Sequence, residues 1–148
     1  MKLATVFSGI GAIEQSLRRL GIDHEIVFAC DNGDVELNLL SGKDLEDYTR
    51  LTKLRSKKQL SDPAEIKRLE ELGVKENSIA EEIRTQISSM SSKIEKKQFV
   101  DALYANNSRQ TNFVKKAYMA NYGDKLSEND FHLDIRFLDG RDYKKDKI

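Results

Sequence analysis

The sequence predicts an α/β fold whose parallel sheet is interrupted by a long helical segment. Residues 1–34 read as strand, glycine turn, helix and strand. Residues 35–107 place apolar side chains at helical spacing among charges of both signs, and residues 108–148 return to α/β texture. At 148 residues the chain has room for one domain with a real core, and not for two of ordinary size.

Leu3-Ala4-Thr5-Val6-Phe7 is a short β-prone run without polar alternation, which predicts a strand buried on both faces. Ser8-Gly9-Ile10-Gly11 breaks it. Ile13, Leu17 and Leu20 then recur at helical spacing, with Gly21 where a C-terminal cap belongs. Ile26-Val27-Phe28-Ala29-Cys30 is a second buried-type strand ending on Asp31-Asn32. A strand, helix and strand in so short a span form a βαβ unit with parallel strands.

Leu45, Tyr48, Leu51 and Leu54 mark the first helix of the middle segment. Asp62-Pro63 opens a second, carrying Ile66, Leu69 and Leu72 and closed by Gly73. Ile79, Ile83, Ile87, Met90 and Ile94 form a third stripe running on towards Phe99, Leu103 and Tyr104. Mixed charges between these positions predict a solvated helical hairpin or small bundle rather than a nucleic-acid-binding surface. Beyond it, Thr111 stands where a cap would open a helix carrying Phe113, Val114, Ala117 and Tyr118, closed by Gly123. Phe131 to Phe137 alternates like a strand, and the charged tail 141–147 reads as a linker.

Composition narrows the function. Lys+Arg and Asp+Glu are both 25, whereas a stand-alone DNA binder carries a basic excess to neutralise phosphates. The one cysteine, Cys30, allows no intramolecular disulfide and no cysteine zinc cluster, and the two histidines stand far apart. No run is long and apolar enough for a membrane span, so the expectation is a cytoplasmic protein with no membrane and no metal.

The glycines of Phe7-Ser8-Gly9-Ile10-Gly11 allow a sharp turn and close approach of a ligand to the backbone, and the helix start behind them offers N–H groups. Asp31 ends the second strand at the offset where an acidic side chain takes the hydroxyls of an adenosine ribose. The third glycine of the dinucleotide fingerprint is absent, because Glu14 stands there, which counts against a nicotinamide or flavin dinucleotide. Spacing alone fits nucleoside binding and a purely structural turn equally well.

Four stretches, in order, resemble the DNA cytosine-5 methyltransferase family. Thr5-Val6-Phe7-Ser8-Gly9-Ile10-Gly11-Ala12-Ile13-Glu14 is similar to its first motif, and Phe28-Ala29-Cys30-Asp31-Asn32 to its second. Ala117-Tyr118-Met119-Ala120-Asn121-Tyr122-Gly123 resembles the Tyr-x-x-Asn-Phe segment that follows. Leu133-Asp134-Ile135 is similar to the Gly-Asp-Ile of the third motif, with leucine for glycine. The match covers the two ends of the chain, and the helical segment between them exceeds the family's usual short connection.

The resemblance implies a partial Rossmann-like S-adenosylmethionine-dependent methyltransferase fold with a large helical insertion. It implies that Phe7 lies against adenine and that the backbone of Ser8, Gly9, Ile10 and Gly11 holds the methionine part. By the same resemblance Asp31 accepts from the ribose, Asn32 lies beside the adenine, Asp134 accepts from the adenine amino group and the Ile135 N–H meets a ring nitrogen. The plainer readings are apolar core for Phe7 and Ile135 and a strand-end cap for Asp134. The family's catalytic Pro-Cys-Gln does not occur, and Cys30, inside a buried-type strand, is expected to be core. The implied protein is therefore a fragment or split subunit of a prokaryotic or phage methyltransferase. It would supply S-adenosylmethionine binding without turnover alone, and would meet double-stranded DNA through the full-length enzyme or a complementary C-terminal subunit. The alternatives are a helical interaction module on an α/β scaffold and a fragment of a nicotinamide-dependent oxidoreductase.

Overall fold

The computed structural model describes residues 1–108 and 110–144. The fold is α/β. Strands β1 (Lys2–Val6), β2 (Glu25–Cys30) and β3 (Phe131–His132) form a parallel sheet in the order β1-β2-β3. Helix α1 (Ala12–Arg19) connects β1 to β2; α2 (Gly42–Ser56), α3 (Pro63–Ser89), α4 (Lys93–Asn107) and α5 (Phe113–Tyr122) precede β3. Two compact units result: Met1–Glu36 with the chain from Ile87 onward, and Leu37–Gln86. The second unit is narrower than the helical segment expected from sequence, because α4 belongs to the unit that holds the sheet.

The core on one side of the sheet joins Ile26 and Ala29 of β2 and Phe131 of β3 to Tyr118, Tyr122 and Leu126 of α5 and the turn after it. Strict alternation would send Ile26 and Ala29 to opposite faces. They share a face because Leu3 pairs with Ile26 while Ala4 pairs with Phe28, so Val27 is an extra residue in the register. Phe28 meets Tyr143 (ring centroids 4.8 Å apart) and His132 (6.1 Å). Helix α4 is tied to the last described turns by Lys96, whose Nζ reaches Asp139 at 2.9 Å and Asp142 at 3.0 Å with 9% of its side chain exposed.

Several expectations need correction. β1 is not buried on both faces: it is the edge strand of the described sheet, and Val6 and Phe7 are exposed. Gly73 does not end a helix. It keeps a right-handed backbone inside α3, where Leu69 and Leu72 before it and Ala80, Ile83 and Ile87 after it continue one buried stripe. Such burial outweighs the roughly 1 kcal/mol that glycine costs inside a helix. The third stripe is broken at residues 90–92, where Ser92 caps α4 by accepting from Glu95 N. Asn112, not Thr111, caps α5. Only Phe131–His132 is strand, since Asp134 accepts from Arg136 N and starts a 3-10 turn over Ile135–Phe137. The tail is not simply a linker: Gly140–Tyr143 is a further 3-10 turn with Tyr143 buried, while residues 145–147 lie outside the described chain.

The Leu37–Gln86 unit buries Leu51, Leu69, Leu72, Ala80 and Ile83. Its charges pair with one another: Arg68 bridges Asp44 (2.7 Å) and Asp47 (3.2 Å), Arg50 meets Glu65 (2.6 Å), and Lys75 also pairs with Asp44. Lys75 and Arg68 together hold the Asp44 carboxyl below its ordinary range. Internal pairing of this kind is what a solvated hairpin needs to carry so many charges.

Candidate functional site

The loop between β1 and α1 bends through three left-handed residues, Phe7 (φ 54°), Gly9 (φ 54°) and Gly11 (φ 90°). Ser8 anchors the bend. Its side chain is buried, its N–H donates to the Cys30 carbonyl (3.2 Å), and its Oγ accepts from Cys30 N (3.1 Å). A left-handed phenylalanine is strained by about 1–3 kcal/mol, and this one is 79% exposed, so no burial repays the strain. The plainer reading of Phe7 as core is therefore wrong, and so is that of Ile135, which is also exposed.

Helix α5 supports the loop from beneath. Tyr122 Oη donates to the Gly11 carbonyl (2.9 Å), and a Cβ at Gly11 would stand 2.2 Å from Tyr122 Cε2, so only glycine fits. Asn121 Nδ2 reaches the Ile10 carbonyl at 3.5 Å. Glu14, where the dinucleotide fingerprint would have glycine, is fully buried; its Oε1 accepts from Tyr118 Oη (2.6 Å) and Thr5 Oγ1 (3.1 Å). The Tyr-x-x-Asn-Tyr segment thus carries three contacts that hold the first turn in place.

Asp31 ties the first turn to the second. Its Oδ2 accepts from Gly9 N (2.8 Å) and its Oδ1 from Gly33 N (2.7 Å), which leaves further acceptor capacity on both oxygens. Asn112 Nδ2 donates to the Asp31 carbonyl (3.0 Å), locking this strand end to the start of α5.

Phe7, Asp31, Asn32, Asp134 and Ile135 line one hollow of about 230 Å³ at the carboxyl ends of the three strands, together with Cys30, Leu133 and Arg136. Five of the nine residues singled out in the sequence therefore meet. Of the other four, Ser8 is turned inward, Gly9 offers open space, and Ile10 and Gly11 border a separate hollow of about 510 Å³ between α1 and α5. The strand-end hollow falls below the roughly 300–1,000 Å³ of a typical small-molecule cleft. A larger cleft of about 620 Å³ lies between α4 and α5, shares Leu133 with it, and presents Asp101, Tyr104, Lys115 and Lys116.

Asp134 is buried and heavily engaged. Tyr104 Oη donates to its Oδ2 (2.8 Å), and Arg136 binds it through N, Nε and Nη2. It caps the 3-10 turn, as the plainer reading has it, while facing the hollow. Tyr104 and Arg136 were not legible as site residues, since one reads as an apolar helix position and the other as the polar face of a strand. Cys30 is 3% exposed, and burial, followed by Asp134 and Asp31, pushes its thiol up to about 12, as suits an inert core cysteine. Among the described residues no acidic, histidine and cysteine side chains cluster to hold a metal ion, and no helix is long and apolar enough to cross a membrane.

Comparison of the chain with protein-family models, with curated proteins and with solved structures finds no match.

Proposed function

We propose that the chain is the S-adenosylmethionine-binding part of a DNA cytosine-5 methyltransferase, a partial Rossmann-like fold carrying a helical insertion. The observation that carries the reading is the meeting of Phe7, Asp31, Asn32, Asp134 and Ile135 in one hollow, from three strand ends far apart in sequence. Nucleosides in open parallel sheets bind at such strand ends. The exposed Phe7 ring offers a face for adenine, and Asp31 retains lone pairs for two ribose hydroxyls. The open backbone at Gly9 leaves room for the methionine part.

The methyl group would come from the cofactor's sulfonium, and its acceptor would be C5 of a cytosine activated by a cysteine thiolate. Cys30 is not assigned as that thiolate: it is 3% exposed at the end of β2, and burial pushes its thiol up. The nucleophile and most of the DNA-gripping surface then come from another part of the enzyme or from a complementary subunit. Alone, the chain should show no methyl transfer to double-stranded DNA, and turnover above background would refute this division of labour.

Calorimetric titration separates this reading from the nicotinamide one. S-adenosylhomocysteine should bind in preference to NAD, and Asp31→Ala should weaken it about tenfold or more, the worth of hydrogen bonds to a charged acceptor. A preference for NAD, or adenosylhomocysteine binding indifferent to Asp31→Ala, would contradict it.

A further inference from the structure

The Asp134 carboxylate has about four lone-pair directions, and all are in use. Oδ1 accepts from Arg136 N (2.9 Å) and Nε (3.1 Å), while Oδ2 accepts from Tyr104 Oη (2.8 Å) and Arg136 Nη2 (2.8 Å). Nothing is left for an incoming amino group while that arrangement stands.

The two side-chain partners differ in kind. Tyr104 is 7% exposed, on a helix that Lys96 ties to Asp139 and Asp142, so its hydroxyl is a fixed support. The Arg136 side chain is 44% exposed, borders the same hollow, and is otherwise in contact with the Phe137 ring at 5.2 Å. The guanidinium can swing out to solvent while the buried carboxylate keeps the Tyr104 hydroxyl and the Arg136 backbone N–H, so Arg136 is the partner an incoming donor can replace, whereas the buried Tyr104 donor is not.

We propose that Tyr104 and Arg136 are opposed positioning residues for adenine recognition: Tyr104 holds Asp134 in place, and Arg136 occupies the seat of the adenine amino group until adenine displaces it. The inference rests on the adenosine reading of the hollow and adds to it a residue pair outside the resembling motifs. The helical segment then contributes to the cofactor site through Tyr104 of α4, and the Arg136 fork completes the hydrogen bonding of the buried carboxylate. Binding exchanges one set of donors for another, so a ligand without the amino donor gains nothing from displacing Arg136.

The test compares S-adenosylhomocysteine with S-inosylhomocysteine, which has a carbonyl where adenine has its amino group, on the full chain by calorimetry. Arg136→Met keeps the aliphatic length and the backbone donor but removes the charged fork. It should tighten adenosylhomocysteine about threefold or more, with no gain for the inosine analogue. Tyr104→Phe should weaken adenosylhomocysteine about tenfold and change the inosine analogue much less. Thermal unfolding of each variant checks that the fold is retained, and Arg136→Gln serves as a second removal. Equal gains for both ligands would mean that Arg136 merely obstructs, and unchanged or weaker binding would mean that it does not compete; either overturns the proposal. In both cases wild-type preference for the amino ligand would leave the adenosine reading standing. Failure of the wild type and all variants to bind either nucleoside would sink the reading and the inference together.

Discussion

Tyr118→Phe removes one oxygen from the centre of the fold and tests what holds the first turn. Tyr118 is 0% exposed, and its hydroxyl donates at 2.6 Å to Glu14 Oε1, itself on a fully buried side chain. Thr5 Oγ1 donates to the same oxygen at 3.1 Å, and Oε2 has no hydrogen-bond partner. Burial, followed by the Glu14 carboxylate, raises the Tyr118 hydroxyl well above its ordinary range, so it stays a donor throughout the accessible pH range. Phenylalanine would keep the ring contacts with Tyr122 (5.0 Å) and Phe131 (5.3 Å), leaving Glu14 with one donor of two. A hydrogen bond contributes roughly 0.5–1.5 kcal/mol net, and leaving a buried polar group short of a partner costs about 1–3 kcal/mol. The expected loss is about 1–3 kcal/mol, read from urea denaturation midpoints at constant slope. It corresponds to some 2–4 °C in Tm per kcal/mol for a chain of this size. In a Glu14→Met background the same substitution should cost little, giving a coupling of about 2 kcal/mol. A cost below about 0.5 kcal/mol in the wild-type background would refute the idea that this bond secures the turn.

Three further substitutions probe the same turn and the far side of the sheet. Gly11→Ala combines a left-handed backbone with a Cβ 2.2 Å from Tyr122, and should cost about 3 kcal/mol or more; Gly9→Ala, left-handed but open, should cost only about 1–2 kcal/mol. Equal denaturation midpoints for the two would contradict the packing. His132, hydrogen-bonded to Tyr143 at 2.6 Å, is held down to about 4 from 6.5, chiefly by burial, with Lys97 contributing. The unfolded chain then binds the extra proton first, so stability should fall as pH drops from about 6.5 towards about 4, by up to about 3 kcal/mol. His132→Gln should flatten that window, and an unchanged pH profile would refute the assignment.

The β1–α1–β2 unit was legible because apolar strands, turn glycines and a capping Gly21 all point to the same structure. The Val27 bulge was not, since nothing local distinguishes an extra residue in an apolar run; it shows in the pairing register with β1 and in the shared face of Ile26 and Ala29. The break before α4 carried a readable signal, the capping sequence Ser92-Lys93-Ile94-Glu95, which the continuing apolar stripe obscured. Residues 131–137 mimic a strand because Asp134 turns the chain after two paired residues, a tertiary event with no periodic signature. In the site, side chains that would face the ligand were legible from their motifs. Those that support them (Glu14, Tyr118, Tyr122, Tyr104 and Arg136) were not legible in that role, because their partners lie on other elements.

The convergence of the first turn with the ends of β2 and β3 on one nucleoside is tested most directly by backbone amide NMR. On titration with S-adenosylhomocysteine, the largest shifts should fall on Phe7, Gly9, Asn32 and Ile135, around the strand-end hollow. Shifts centred instead on Ala105, Ser108 and Lys115, which border the cleft between α4 and α5, would show that the ligand sits elsewhere and contradict the site described here.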